Sequence, residues 1–179
     1  MKIKLLSSVL IMSLLFVSCS SDDDSGEPTG GEAEATIVSS GDVEFSFDDS
    51  ARFYASSTNK MYSEGEIDAD AVKVIDIVGD SDQVLIAFIS PSGESTSVPS
   101  GTVTKFQHTN VSMTAAEFDA MEDDTKLKTL TVVDDNESIS PNDYEGKIVL
   151  FENAAGKKGA IKLKNLNRTR LLVDIKVQK

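Results

Sequence analysis

The chain has 179 residues, with 30 acids, 17 lysines or arginines and one histidine, so its formal net charge at neutral pH is −13. Nucleic acids are held through clustered lysine and arginine, so this charge argues against a nucleic acid partner. Cys19 is the single cysteine, which excludes an intramolecular disulfide. No cysteine nucleophile and no zinc site with a cysteine ligand can lie beyond residue 19. No cofactor is expected, and the fold must rest on its hydrophobic core.

The beginning of the chain has the pattern of a cleaved export signal. Lys2 and Lys4 form a short positive start, and residues 5–17 follow without a charged side chain. An apolar helix of that length spans about 20 Å, less than the roughly 30 Å hydrocarbon core that a permanent span must cross. We therefore predict a signal peptide over residues 1–18.

Cys19 directly follows this leader, in the sequence Phe16-Val17-Ser18-Cys19. These residues resemble the lipobox of bacterial lipoprotein precursors, with Phe16 where leucine is usual and Ser18 where glycine or alanine is usual. The resemblance implies that Cys19 is lipidated and that cleavage occurs just before it. Acyl chains make such an anchor stable, because each buried methylene adds about 0.8 kcal/mol. The alternative is an ordinary signal peptide that is cut nearby.

Residues 19–35 are predicted to form a disordered, lipidated tether. They contain six acids, no bases and no large apolar side chain, so they cannot bury enough surface to fold. The tether begins, after Cys19, with Ser20, Ser21, Asp22, Asp23 and Asp24. Serines followed by a run of acids resemble the surface-export signal of Bacteroidota lipoproteins, which implies an outer-membrane protein that faces the cell surface. A solvated linker on a periplasm-facing protein is the alternative.

Residues 36–179 have the size of one domain, and we predict a single β-rich globular unit. Loss of the leader removes two lysines and no acid, which takes the net charge from −13 to −15. The charge is uneven, since residues 147–179 carry nine bases and only two acids. This basic third could bind a polyanion, but we favour its neutralisation by acidic neighbours in the same sheet.

Alternation of apolar and polar residues predicts the first strand at Val43, Phe45 and Phe47. Residues 52–55 begin a second strand, and the polar run over residues 56–66 predicts a loop.

Residues 72–78 and 84–89 are predicted to pair as a hairpin across the turn sequence at residues 79–82. The run at 84–89 has no polar residue, so we expect it to be covered on both faces.

Thr114 and Glu117 have the spacing of a capping box, and Phe118 and Met121 follow on one face. This pattern predicts one short helix over about residues 114–122.

The next segment has two alternative predictions. One is a second helical turn that is capped by Asp124 and contains Leu127 and Leu130, and the other is a strand over residues 126–133.

The C-terminal third predicts three strands, at residues 147–151, 158–166 and 169–177. The core-facing side chains of the last strand are predicted to be Thr169, Leu171, Val173, Ile175 and Val177. The whole pattern predicts a mainly β fold, an antiparallel β-sandwich or a partly open barrel with one short helix.

Three stretches of this third, IVLFE at 148–152, GKKGAIKL at 156–163 and VDIKVQK at 173–179, look like the C-terminal module of small Bacteroidota outer-membrane or surface lipoproteins. VIDI at 74–77 and ISPS at 89–92 are similar to the same family. The resemblance implies a fold and a location, and it carries no catalytic residue and no ligand.

His108 is the only histidine, so a serine–histidine–aspartate triad would have to use it. No nucleophile motif lies near it, and we predict a histidine at the surface or at a strand end.

Any metal site must be built from oxygen ligands. Residues 134–145 place Asp134, Asn136, Ser138 and Glu145 at calcium-loop positions, but Ile139 stands where glycine is required. No metal site is therefore predicted.

Asp76 lies between Ile75 and Ile77, where burial of a carboxylate is costly unless it is paired. We predict a structural salt bridge or a strand-edge carboxylate, with a functional role as the alternative.

The sequence contains no catalytic constellation that stands out from its background of acids. We therefore expect a non-enzymatic binding or structural module of the cell envelope, lipid-anchored in the outer membrane, whose partner is an envelope protein or an extracellular ligand. The alternative is a carboxylate-based hydrolase that acts on glycans at the cell surface. The absence of tryptophan and the presence of only three tyrosines weaken glycan binding.

Overall fold

The structure is a computed structural model, and it describes residues 34–81, 84–93, 96 and 98–179. The predicted signal peptide at 1–18, the lipidation site Cys19 and the tether residues 20–33 lie outside the described residues. Residues 34–179 form one compact unit. In this part of the chain, no helix is both long and apolar enough to cross a membrane.

A five-stranded antiparallel sheet forms one layer, and its strand order is β1-β9-β8-β7-β6. Its strands are β1 (Ile37–Ser46), β6 (Lys105–Gln107), β7 (Ile148–Glu152), β8 (Lys158–Leu166) and β9 (Arg170–Gln178). The three strands predicted in the C-terminal third are confirmed as β7, β8 and β9. The alternation in β9 is also confirmed, because Leu171, Val173, Ile175 and Val177 are buried. Thr169 lies before this strand and is exposed, so its predicted core position was wrong.

A four-stranded antiparallel sheet forms the second layer, in the order β3-β2-β4-β5. Its strands are β2 (Phe53–Ala55), β3 (Lys60–Tyr62), β4 (Ile77–Gly79) and β5 (Phe88–Ile89). The pairing of β4 with β5 confirms the predicted hairpin partners, although the strands are shorter than expected.

The main core lies between the two sheets. Phe45, Phe151 and Val173 of the five-stranded sheet share one buried cluster with Tyr54 and Phe88 of the four-stranded sheet. The rings of Phe45 and Phe88 meet edge to face, with centroids 5.4 Å apart. The described residues are mainly β, with 35% strand and 12% helix, and neither described sheet closes into a barrel, so the sandwich is the fold.

Short helices cover the outer faces of both sheets. They are α1 (Ala71–Val74), α2 (Ala115–Asp119) and α3 (Thr125–Thr129), with a 3₁₀ turn at Glu64–Glu66. Phe118 and Leu127 pack from α2 and α3 on Ile148 and Leu150 of β7, whose opposite face lies in the main core. This second cover explains why β7 is apolar at four successive positions.

The prediction of a single helix was therefore incomplete. The capping box of Thr114 and Glu117 is formed, and it starts α2 as predicted. The helical alternative at Asp124 is correct, since α3 begins at Thr125.

The predicted strand at residues 72–78 was wrong in its first half. Asp68 starts a helical turn there by accepting the backbone N–H groups of Asp70 at 3.0 Å and Ala71 at 2.8 Å. The predicted loop at residues 56–66 was also too simple, because it contains β3 and the 3₁₀ turn.

The apolar run at residues 84–89 is not covered throughout. Val84 is 78% exposed, and only Phe88–Ile89 forms a strand. Ile86 instead makes an isolated bridge with Ile139 and is fully buried. The apolar sequence of residues 84–89 therefore predicted a region that is partly buried, but the predicted strand was too long.

Candidate functional site

His108 follows the end of β6 and is buried, with only 7% of its surface exposed. The prediction of a strand-end position is confirmed, whereas a surface position was wrong. The Nδ1 atom lies 2.9 Å from Oδ1 of Asp135, and the backbone N–H of Phe88 donates to Nε2 over 3.0 Å. Because Nε2 accepts a hydrogen bond, the ring proton belongs on Nδ1 and points to Asp135. Both ring nitrogens are thus occupied within the protein.

Asp135 completes this arrangement from a segment that lies along the edge of β6. Its carboxylate accepts the backbone N–H of His108 and both the N–H and the hydroxyl of Thr109, each at 3.1 Å. Burial alone would raise the pKa of Asp135, but the hydrogen bonds from His108 and Thr109 outweigh it and hold that pKa below the ordinary value of 3.8. Asp135 therefore remains a carboxylate at neutral pH.

Asp134 caps the same strand edge. Its Oδ1 accepts the backbone N–H of Phe106 at 2.8 Å, and the N–H of Asp135 returns a bond to the carbonyl of Phe106. A sheet edge whose outward N–H groups are bound by carboxylates cannot add a further strand at those positions. The two consecutive acids Asp134 and Asp135 thus terminate the five-stranded sheet.

The histidine–aspartate pair resembles part of a catalytic triad, but its geometry does not serve that chemistry. A triad histidine takes the nucleophile's proton on the nitrogen that faces away from the aspartate. In His108 this nitrogen is held by the Phe88 backbone, which cannot deliver a nucleophile. The pair therefore acts as a cross-link between β5 and β6, which belong to different sheets.

Asp76 forms a second buried polar network. It is 5% exposed and lies between α1 and β4 rather than on a strand face. Its carboxylate accepts the backbone N–H of Ser56 at 2.9 Å, the hydroxyl of Ser56 and the side-chain amide of Asn153 at 3.1 Å. No ion pair involves Asp76 within the described residues, so the predicted salt bridge was wrong; hydrogen bonds take its place.

Burial raises the pKa of Asp76 above 3.8, against the opposing effect of the bonds from Ser56 and Asn153. A depression of about 480 Å³ borders this network, and its lining includes Val74, Lys157 and Asp76 itself. Catalytic acids commonly have a raised pKa and lie beside a depression in the protein surface. In the described lining of this depression, however, no second aspartate or glutamate side chain accompanies Asp76.

Four of the nine basic residues of the C-terminal third form ion pairs with acids, and these are Lys147, Lys162, Lys164 and Arg170. Lys164 bonds Asp42 at 2.6 Å and Asp174 at 3.0 Å. Burial alone would raise the pKa of Asp174, but the bonds from the Asp42 backbone N–H and from Lys164 outweigh it and lower that pKa. Lys176 instead donates to backbone carbonyls at the C-terminal end of α2, those of Phe118 at 2.8 Å and Met121 at 2.7 Å. The ion pairs of Lys164 agree with the expected neutralisation by acidic neighbours in the same sheet, whereas Lys176 is held by carbonyl groups.

The loop at residues 134–145 is also used for packing. Ile139, at the position where a calcium loop needs glycine, is buried and bonds the backbone of Ile86. Across the described part of the chain, no group of three or more histidine, cysteine or acidic side chains is placed to hold a metal ion.

Sequence reasoning identified His108 and Asp76 but missed their partners, because Asp135 lies 27 positions from His108 and Asn153 lies 77 positions from Asp76. Cys19 and the acidic residues behind it are outside the described residues. Comparisons with family models, with curated proteins and with solved structures found no match.

Proposed function

We propose that this chain is a lipid-anchored, non-enzymatic binding or structural module of the bacterial cell envelope. In this proposal Cys19 carries the lipid that holds the protein at the outer membrane. The acidic tether then presents the β-sandwich to an envelope protein or an extracellular ligand. The support for the anchor is the position of the single cysteine, directly after an apolar leader that is too short to span the bilayer.

The hydrogen bonds of the His108 ring support the non-enzymatic part of the proposal. The only histidine has one ring nitrogen on Asp135 and the other on the Phe88 backbone, so neither is free for proton transfer. Hydrogen bonds that saturate a buried residue favour a structural role, since breaking them to reach a substrate would leave polar groups unpaired.

Labelling with an alkyne fatty acid tests the anchor directly. Cells that express the full chain are expected to incorporate the label, and mass spectrometry should place the lipid on an N-terminal Cys19. Cys19→Ala removes the acceptor thiol and is expected to abolish labelling. An unlabelled wild-type protein that keeps residues 1–18 would overturn the proposal.

Protease treatment of intact cells then tests the side of the membrane. A surface-facing protein loses its domain to added protease, whereas a periplasm-facing one is protected until the outer membrane is opened. Replacing Asp22, Asp23 and Asp24 together by alanine is expected to convert the first behaviour into the second, with lipid labelling as the control for anchoring.

A carboxylate-based hydrolase is the second candidate, and Asp76 is the observation that favours it. Burial raises the pKa of Asp76, as an acid catalyst requires. Glycan hydrolysis needs a second carboxyl group several ångströms away, and no other acidic side chain lines the described part of this depression. Hydrolysis of cell-wall or surface glycans by the wild type but not by Asp76→Asn would establish the enzyme and overturn the non-enzymatic assignment.

A further inference from the structure

The depression of about 480 Å³ beside Asp76 combines apolar side chains with three lysines, and we call it the lysine depression. A ligand can reach its apolar side chains, because they are exposed or half-buried. They are Val38, Val74, Ala154 and Ala155. Its lysines are all exposed, and they are Lys73, Lys157 and Lys179. Within the described lining Asp76 is the only acid, so this surface is locally basic on a chain whose net charge is −13.

The three lysines of the lysine depression retain most of their hydrogen-bond donors. Lys73 bonds Asp70 at 2.8 Å, but the two side chains are 70% and 90% exposed, so water competes with that pair. Lys157 donates to the backbone oxygen of Lys179 at 2.6 Å, and within the described contacts the side chain of Lys179 has no partner. Because an ammonium group has three N–H donors, each of these lysines can still bind an anion.

The lysine depression lies where the chain enters the domain. The carbonyl of Thr36, just before β1, accepts the backbone N–H of Lys179 at 2.9 Å, and Val38 of β1 lines the depression. The predicted tether at residues 19–35 ends directly before this point. A flexible chain of about 17 residues spans about 20 to 25 Å. In the proposed function, the lipid on Cys19 therefore keeps this end of the domain close to the membrane surface.

Charge, shape and position together define the class of ligand. Lysine ammonium groups bind phosphate as point charges, and basic residues next to a membrane are attracted to its anionic lipids. The volume lies within the range of small-molecule sites, about 300 to 1,000 Å³. An inorganic anion cannot cover the apolar side chains of the lining, whereas the glycerol and the first methylene groups of a lipid can.

We propose that the lysine depression binds an anionic phospholipid of the membrane that holds the anchor. The three lysines bind the phosphate of the lipid, while Val38, Val74 and the two alanines contact its glycerol and first methylene groups. The anchor raises the local concentration of lipid, so a contact that is too weak to hold a free protein still orients an anchored one. This inference rests on the proposed function, because the lipid on Cys19 brings the depression to the membrane.

Lysine acetylation read by mass spectrometry tests the site on the lipidated chain, reconstituted in vesicles. The vesicles contain phosphatidylcholine alone or equal parts of phosphatidylglycerol and phosphatidylcholine. Lys73, Lys157 and Lys179 are expected to react at least about fivefold more slowly in the anionic vesicles, since one lysine near an anionic surface contributes a factor of about five. Lys147 is the internal control, because it is 49% exposed and lies at the other end of β7 from the depression. Its rate should be the same in both vesicles.

Two substitutions and a competing anion sharpen this test. Lys157→Gln combined with Lys179→Gln removes two of the three ammonium groups and should return the acetylation rate of Lys73 to its value in phosphatidylcholine. Lys147→Gln removes one positive charge outside the depression and should leave the protection of Lys73 unchanged. Sodium phosphate without vesicles, compared with sodium chloride at the same ionic strength, should protect none of the three lysines.

Equal rates for the three lysines in both vesicles would overturn the proposal. Equal slowing of Lys147 would also overturn it, because this would indicate general attraction of the domain to the membrane. Protection by sodium phosphate alone would reject a lipid in favour of a free anion.

Mass spectrometry of the same preparation separates these results from the proposed function. A lipidated Cys19 without selective protection rejects the lipid site alone. An unmodified Cys19 rejects the anchor. Selective protection in that preparation leaves the lipid site standing, and the absence of protection rejects both.

Discussion

Replacement of Asp135 by asparagine tests whether its carboxylate holds the edge of the five-stranded sheet. The carboxylate accepts two donors from His108 and two from Thr109, and an amide can accept on only one of its two ends. Whichever position keeps the oxygen, a donor loses its acceptor, either the His108 ring N–H or the N–H and hydroxyl of Thr109, and the charge that strengthens the remaining bonds is gone. We expect a loss of about 2 to 4 kcal/mol in the free energy of unfolding.

The neighbouring acid provides a matched control. Asp134 accepts one described bond, through Oδ1 from the Phe106 backbone. An asparagine keeps that acceptor, so Asp134→Asn is expected to change stability by no more than about 0.5 kcal/mol. Urea unfolding of the full chain, monitored by circular dichroism, measures both variants, and the midpoint for Asp135→Asn should fall by about 1 to 2 M.

The pH dependence gives a second signature of Asp135. Because its pKa in the folded protein lies below the ordinary 3.8, its contribution to stability is present above that value and is lost as pH falls through the folded pKa. The difference between wild type and Asp135→Asn is therefore expected to be constant from about pH 7 to pH 5 and to shrink below about pH 4. Equal destabilisation by Asp134→Asn and Asp135→Asn, or a difference that persists in acid, would refute the reasoning.

Further substitutions test the packing and the charge assignments. Gly159→Ala places a Cβ against the ring of Phe151 and 2.9 Å from the carbonyl oxygen of Lys176. Urea unfolding should therefore show a loss of about 1 to 3 kcal/mol in the free energy of unfolding. Gly65→Ala, whose Cβ has no neighbour within 4 Å, should change this free energy little. Lys176→Met removes the cation that bonds the end of α2 and should cost about 1 kcal/mol in the same assay. The carboxyl carbon of Asp76 should titrate in NMR with a midpoint above 3.8, and its charged form should lower stability as pH rises through that midpoint; titration at or below 3.8 would contradict the assigned burial.

The elements that could be predicted from the sequence are those whose signal is local. The alternation in β9 survives because one face lies on the core and the other is exposed or half-buried. The capping box of Thr114 and Glu117 starts α2 because both of its bonds lie within four residues. In each case the chain needs no distant partner to choose its conformation.

The errors arose where distant contacts decide the local structure. Residues 72–74 are rich in valine, which favours a strand, yet α1 forms because Asp68 caps its first turn and because Ala71 and Ile75 pack on Phe53 of β2. The signal for the cap was present in the sequence at Asp68, but the hydrophobic pattern was given more weight.

The polar sites could not be assembled from the sequence for a different reason. A single histidine among 30 acids has many possible partners, and nothing local selects Asp135. The unpartnered hydroxyl of Thr104 is equally invisible, since a missing hydrogen bond is a property of the folded neighbourhood. Burial and hydrogen bonding therefore had to come from the structure.

Both buried polar networks join the same two layers. His108 of the five-stranded sheet accepts the backbone of Phe88 in the four-stranded sheet, and Asn153 after β7 donates to Asp76 before β4. A hydrogen bond is satisfied only over a narrow range of distance and angle, and a buried group left unpaired is penalised, so each network favours one relative position of the two sheets. With one cysteine, placed at residue 19, the domain has no disulfide to fix its layers. The two networks supply that constraint.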